Sequence, residues 1–167
     1  LFTTEKLCSY ASINGLYSKN DSAFLEAEKA LASLEFHDVY AGTCAADGEK
    51  SSLRKADYAL ELLQKEWNKA FFAVCGKYQK AEIGAFPVFI FNSQPYARET
   101  VCETEYLMPK PVISDTEQYT VSVYQNGKKI PSQCIKELSN IHYDRRKRIA
   151  YRCTLPAMGE ARLDFRV

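Results

Sequence analysis

The chain has 167 residues, of which 46% are hydrophobic and 13% aromatic, so it has enough apolar material to build a folded core and is not a disordered chain. Its 22 basic and 21 acidic residues leave a formal charge of +1, which excludes a whole-chain field that would attract nucleic acid or an anionic membrane. No apolar run approaches the length of a membrane span. We therefore expect neither nucleic acid nor a membrane as a partner.

The first four residues bear on how the chain was processed. It reads Leu1-Phe2-Thr3-Thr4, without an initial Met and without the pattern of a signal peptide. We expect the chain to be cut from something longer, or processed.

Residues 3–80 have helical periodicity, because apolar side chains recur three and four positions apart. The segment "TTEKLCSYASINGLY" predicts a first helix that weakens at Asn14-Gly15. The segment "NDSAFLEAEKALASLEF" predicts a second helix, with Asp21 and Ser22 as cap candidates. Its expected apolar positions are Leu25, Ala27, Leu31 and Leu34.

The third predicted helix is the longest, "EKSSLRKADYALELLQKEWNKAFFAVCGKY", and Cys75-Gly76 is its expected stop. Its expected core face comprises Leu53, Ala56, Leu60, Leu63, Trp67, Phe71 and Val74. Three such helices predict a small bundle over residues 1–80.

From Ala85 onward the hydrophobic period changes to two, which is typical of strands. Expected strands lie in "FPVFIFN", "RETVCETEYL", "KRIAYRCTLP" and "ARLDFRV", and two more flank the hairpin signal Asn126-Gly127. Residues 85–167 therefore predict the N-terminal part of an antiparallel β-sandwich, with a boundary at 79–84. The expected fold class is α+β, a three-helix bundle followed by a β-sandwich portion.

The six cysteines are widely spaced and form no CxxC pair, which excludes a zinc ribbon or a thioredoxin-like motif. They are Cys8, Cys44, Cys75, Cys102, Cys134 and Cys153. Three disulfides are arithmetically allowed, but the apolar neighbours of these residues favour reduced, half-buried thiols in a reducing compartment. We expect a cytoplasmic protein.

The stretch "ALASLEFHDVYAGTC", residues 30–44, contains one of only two histidines in the chain. One interpretation of His37 is an imidazole at the end of a helix, hydrogen-bonded to a carbonyl near the negative end of the dipole. The other is a zinc ligand, with Asp38 beside it to bind hydroxyl groups and Gly42 to turn the loop tightly. The second histidine, His142, lies in the β half, so the sequence does not hold a complete zinc site.

A four-residue basic run, Arg145 to Arg148, is the other candidate feature. Nucleic-acid binding would require a wider basic stripe with exposed aromatics. A hairpin turn with a solvated face is the favoured interpretation, because acidic residues lie nearby in the sequence.

Taken in order, these segments resemble family 38 glycoside hydrolases, the α-mannosidases. "FHDVYAGTC" is similar to the His-Asp motif of that family, and the helices around it resemble the family's three-helix middle domain. "FPVFIFNSQPYARETVCETEY" and "SNIHYDRRKRIAYRCTLPAMG" resemble the start of its C-terminal β domain. Together these matches cover most of the chain.

The resemblance implies that His37 is a zinc ligand and that Asp38 contacts sugar hydroxyls. It also implies that the remaining zinc ligands, the nucleophile and the acid/base carboxylate belong to an N-terminal catalytic α/β domain that this chain lacks. No catalytic residue is therefore expected in the fragment, which should be inactive alone, whereas its parent would be a zinc-dependent retaining α-mannosidase acting on terminal mannosides of oligosaccharides.

The sequence departs from the family pattern in the β half. Arg145 stands where the family often has Trp, and Asn92-Ser93 replaces the usual Asn-Pro. The alternative function is a non-catalytic carbohydrate-binding or interaction module. Linkage preference and oligomeric state, a homo-oligomer included, are left open.

Overall fold

The computed structural model describes residues 1–108, 120–135 and 146–167 of the chain. It is an α+β protein that divides into two compact units, Leu1–Tyr78 and Gln79–Val167. Each unit has a core of its own and is described separately below. Among the described residues, no helix is both long enough and apolar enough to cross a membrane.

The first unit contains the three expected helices and one additional short one. They are α1 (Phe2–Ile13), α2 (Asp21–Leu34), α3 (His37–Tyr40) and α4 (Ala46–Gly76). The long α4 packs against both α1 and α2, so it is the central helix of this unit. The expected stop at Cys75-Gly76 is confirmed, because α4 ends at Gly76.

The N-cap of α2 differs from the prediction. Asn20 caps the helix, and its side-chain oxygen accepts a hydrogen bond from the Ala23 N–H at 3.4 Å. Asp21 and Ser22 lie in the first turn, where the Ser22 hydroxyl donates to the Asn20 Oδ1 at 2.8 Å. Asn takes the position because its short side-chain oxygen reaches the first free N–H groups of the helix.

The predicted core faces of α2 and α4 are also wrong in part. Leu25, Leu31, Leu53 and Leu60 are exposed. The residues that α4 buries are Ala59, Leu63, Glu66, Ala70 and Val74. The buried face of α4 therefore combines small alanines with Leu63 and Val74, and it excludes Leu53 and Leu60.

The described residues of the second unit form seven strands in two antiparallel sheets. The strands are β1 (Ala85–Asn92), β2 (Arg98–Leu107), β3 (Ser122–Gln125), β4 (Lys128–Ile130), β5 (Ser132–Ile135), β6 (Arg146–Leu155) and β7 (Gly159–Arg166). One sheet has the order β1-β7-β3-β4 and the other the order β2-β6-β5.

The two sheets enclose one apolar core. Tyr106 of β2 contacts the rings of Phe86 and Phe165 from the other sheet, with centroids 5.3 and 5.8 Å apart. Tyr151 of β6 meets the Phe165 ring edge-on at 5.4 Å. The period-two pattern of β2 is confirmed, since its inward positions alternate with exposed ones.

The predicted hairpin at Asn126-Gly127 is confirmed, because it joins β3 to β4 and both residues have positive φ. The segment after it forms two strands and not one. Pro131 separates β4, which pairs with β3, from β5, which pairs with β6 in the other sheet. Proline has no N–H to donate to a ladder, so a strand changes sheets at this point.

Candidate functional site

The His37–Asp38 pair lies on a helical turn of its own. Helix α2 ends at Leu34, and Phe36 has the extended backbone angles φ −58° and ψ 133° that interrupt the helix. His37 is therefore the first residue of α3 and does not lie at the C-terminal end of α2. The interpretation of His37 as an imidazole at the negative end of a helix dipole is corrected by this break.

Backbone hydrogen bonds close the loop behind the pair. The carbonyl of Asp38 accepts from the N–H of Thr43 at 2.9 Å and from the N–H of Cys44 at 3.1 Å. Gly42, with φ +70°, makes the left-handed turn that these two bonds require. The expectation that Gly42 turns the loop tightly is confirmed by this geometry.

The two side chains lie together and face solvent. The His37 Nε2 is 3.3 Å from the Asp38 Oδ1, and the side chains are 78% and 49% exposed. The Thr43 hydroxyl also contacts Asp38 Oδ1, at 3.4 Å. No pattern in the sequence predicts this contact between Thr43 and Asp38.

Aromatic side chains lie beside the pair. The Phe36 ring is 4.3 Å from the imidazole of His37, measured between centroids, and both Phe36 and Tyr40 are exposed.

A cavity of about 320 Å³ lies behind the same loop. Its walls come from the end of α2, the α3 loop and the start of α4, and include Leu34, Val39, Cys44, Glu49 and Leu53. Neither His37 nor Asp38 lines it. The pair therefore lies outside the cavity, which is a separate and mostly apolar feature.

This pair can contribute to a zinc site only if further ligands come from elsewhere. Imidazole nitrogen and carboxylate oxygen are both donors that zinc accepts, but a site needs three or four of them. Within residues 1–108, 120–135 and 146–167, no three His, Cys, Asp or Glu side chains are placed to hold a metal ion together. This pair supplies too few donors to form a metal site alone.

The basic run has partners of opposite charge in the part of it that the structure describes. Arg146 and Arg148 lie at the start of β6 and not in a turn, because the strand begins at Arg146. They form ion pairs with Glu105 and Glu103 of β2. Arg145 and His142 lie outside the described residues.

No protein-family model matches the chain, and no curated protein matches it.

Proposed function

We propose that this chain is part of a zinc-dependent retaining α-mannosidase, and that it supplies one zinc ligand, His37, and one sugar contact, Asp38. The observation that carries the proposal is the exposed imidazole–carboxylate pair, held on a short turn by the backbone bonds to Asp38. The two roles are assigned from the resemblance of "FHDVYAGTC" and of the β-half segments to family 38 glycoside hydrolases.

The exposure of the His37 ring supports its role as a zinc ligand that faces a neighbouring domain. An imidazole that is 78% exposed is open to a metal ion held by a neighbouring domain. Turning the ring changes its contacts with the Asp38 Oδ1 and with the Phe36 ring, while the backbone of the turn stays fixed by the bonds from Thr43 and Cys44. A preformed backbone lowers the conformational cost of completing a shared site.

The role of Asp38 follows from its chemistry. An ionised carboxylate accepts hydrogen bonds, and pairs of sugar hydroxyls are good donors to it. The Thr43 hydroxyl contacts this carboxylate at 3.4 Å. When bound, zinc would supply positive charge that polarises sugar hydroxyls near an oxocarbenium-like transition state.

The remaining chemistry is proposed to lie outside this chain, in an N-terminal catalytic domain. A retaining glycosidase needs a nucleophile and an acid/base carboxylate about 5–5.5 Å apart. We therefore expect the 167-residue chain alone to release no p-nitrophenol from p-nitrophenyl α-mannoside and to bind zinc weakly. Tight zinc binding by this chain alone would contradict the shared-ligand assignment.

The test uses the full-length protein that contains this chain, assayed with p-nitrophenyl α-mannoside while bound zinc is measured by elemental analysis. We expect His37→Ala to lose zinc and about 100-fold or more in activity, because outer-shell partners of a metal already contribute about 10–100-fold and a direct ligand contributes more. Asp38→Asn should keep zinc and lose turnover. The controls are His142→Ala, the other histidine, and Asp47→Asn, an exposed carboxylate in the first turn of α4.

The outcomes separate the hypotheses. If His37→Ala and His142→Ala retain equal zinc and equal activity, His37 is not a ligand. If the wild-type full-length protein binds mannosides without hydrolysing them, the alternative of a non-catalytic carbohydrate-binding module is supported instead.

A further inference from the structure

Two cysteines of the β unit have their sulfur atoms in contact. Cys102 of β2 and Cys153 of β6 lie on adjacent antiparallel strands, and their Sγ atoms are 3.7 Å apart. The register pairs Cys102 with Tyr151 and Thr100 with Cys153, so the two cysteines are diagonal neighbours across the ladder. Both are free thiols.

The two thiols differ in their access to solvent. Cys153 is 2% exposed and belongs to the apolar core between the sheets, whereas Cys102 is partly exposed at the edge of that core. A small oxidant can reach Cys102 from solvent, but it cannot reach Cys153 without opening the sheet. The pair therefore has an accessible member and a protected member, which is the usual arrangement of a reacting and a resolving cysteine.

The hydrogen bond between the thiols assigns their roles in the same order. Burial, and then the neighbouring Cys102 sulfur, raise the pKa of the Cys153 thiol to about 12, so it stays protonated near neutral pH. A protonated Cys153 donates its S–H to the Cys102 sulfur. The Cys102 sulfur is therefore the acceptor in this contact.

We propose that Cys102 and Cys153 are a reversible oxidation site, in which a hydroperoxide converts the two thiols into an intrachain disulfide between β2 and β6. The Cys102 thiolate attacks a peroxide oxygen, the O–O bond breaks, and the leaving alkoxide or hydroxide takes up a proton. Cys102 is then a sulfenic acid. The Cys153 sulfur attacks the Cys102 sulfur, the S–O bond breaks, and water leaves with the Cys153 proton. The two thiols are oxidised by two electrons and the peroxide is reduced to an alcohol, or to water, plus one water.

The two sulfur atoms are close enough to form a disulfide, and the resulting bond should be easily reduced. A disulfide bond is about 2.05 Å long, so the sulfurs must approach by about 1.7 Å from their present separation. Diagonal neighbours in a sheet are farther apart than direct partners, so the bridge pulls the strands away from their best register. Strained disulfides are more easily reduced than relaxed ones, which makes this site reversible.

The test is made on the folded chain and does not depend on the proposed mannosidase function. The protein is treated with stoichiometric hydrogen peroxide, blocked with N-ethylmaleimide, digested and analysed by mass spectrometry. We expect one dominant cross-linked peptide pair, joining the peptides of Cys102 and Cys153 at a mass about 2 Da below the sum of the two thiol peptides. Dithiothreitol should restore both thiols.

Serine variants separate the two roles. Cys153→Ser should stop at a Cys102 sulfenic acid that dimedone traps, whereas Cys102→Ser should leave Cys153 unmodified. Cys134→Ser, which removes an exposed thiol of β5, should cross-link like wild type. Cross-links of equal yield among unrelated cysteines, or retention of both wild-type thiols until the protein unfolds, would overturn the proposal.

Discussion

At the scale of single residues, the backbone at Gly42 determines where the candidate site lies. Its φ of +70° lets the chain reverse so that Thr43 and Cys44 reach the Asp38 carbonyl. No atom lies within 4 Å of the position that a Cβ would take, so a substitution there would meet backbone strain and no steric clash. The conformation itself, and not the available space, makes glycine the suitable residue.

Gly42→Ala should therefore destabilise the helical unit by about 1 kcal/mol, since alanine disfavours the left-handed region. Gly76→Ala is the matched control: Gly76 also has open space around it but has an ordinary φ at the end of α4. Alanine at that position should be neutral or slightly stabilising. Denaturant unfolding followed by the fluorescence of Trp67 measures both changes. Equal losses of unfolding free energy in the two variants would show that the left-handed backbone at position 42 does not disfavour alanine.

A second residue with an unusual environment is Glu66, which is buried at 2% exposure on the inner face of α4. Its carboxylate accepts hydrogen bonds from the Tyr17 hydroxyl and from Lys69 Nζ, the latter at 2.8 Å. Burial alone would raise the pKa of this carboxyl, but these two donors outweigh it and hold the pKa below the ordinary value of 4.5. The charged form is thus preferred in the folded unit.

This pKa shift gives a prediction with a defined sign. Because the folded-state pKa is depressed, the stabilising contribution of Glu66 is present above about pH 4.5 and is lost as the pH falls through the lower, folded-state value. Wild type should therefore lose stability relative to Glu66→Gln in that acid range. Tyr17→Phe, which removes one of the two donors, should show a shallower acid loss. Urea unfolding between pH 7 and pH 3 is the measurement, and parallel curves for wild type and Glu66→Gln would contradict the assignment.

At the scale of structural elements, the buried side chain of Asn92 connects two turns of the β unit. Its Nδ2 donates to the carbonyls of Tyr96, at 3.0 Å, and Pro156, at 2.7 Å. Its Oδ1 accepts from the N–H of Gln94 at 3.1 Å. One amide therefore links the β1–β2 connection to the β6–β7 turn, and it uses both of its donors and its acceptor.

Asn92→Asp tests this arrangement with almost no change of shape. The carboxylate cannot donate, so two carbonyls lose their partner and face a negative charge instead. We expect a loss of about 2–4 kcal/mol in the free energy of unfolding of the β unit. Gln133→Glu, the same amide-to-acid change at an exposed position of β5, should cost less than about 0.5 kcal/mol. Similar losses in both variants would indicate that net charge, and not the donors of Asn92, is responsible.

The elements that sequence patterns predicted best are those with strong local signals. Asn126-Gly127 adopts positive φ at both residues and joins β3 to β4, as its composition predicts. The alternation along β2 is equally local. The buried face of α4 was predicted less well, because helical periodicity cannot distinguish a leucine stripe from a neighbouring stripe of small residues. Leu53 and Leu60 are consequently exposed.

The sequence predicted the turn at the candidate site but not the geometry around it. The motif His37-Asp38 followed by Gly42 indicated a tight turn, which the structure contains. The sequence could not show that Phe36 interrupts the helix, because phenylalanine is not a residue that marks a helix break. It also could not show the contact of Thr43 with Asp38, which depends on the exact curvature of the loop.

At the scale of the whole molecule, the two units have cores of different composition. In the helical unit, five of the ten buried apolar residues are alanines. In the described part of the β unit, the largest buried side chains are Tyr151, Phe165, Met108, Ile149 and Leu163. Larger side chains remove more apolar area from water, so burial stabilises the β unit more per residue.

We therefore expect the chain to unfold in two steps, with the helical unit first. Trp67 is the only tryptophan and lies on α4, so its fluorescence reports the helical unit alone. Its transition should come at a lower denaturant concentration than the loss of hydrogen-exchange protection in peptides from β6 and β7. Coincident transitions would show that the two units unfold as one cooperative structure.

The charges on the outer face of β2 have a consequence for association between copies of the chain. In the described residues β2 is at the edge of its sheet, and its exposed Glu99, Glu103 and Glu105 pair with arginines of β6. If a second β2 lay alongside the first, rows of carboxylates from both strands would face the same side without arginines between them. The resulting repulsion opposes growth of a continuous intermolecular sheet at this edge, and acid or high salt would weaken that protection.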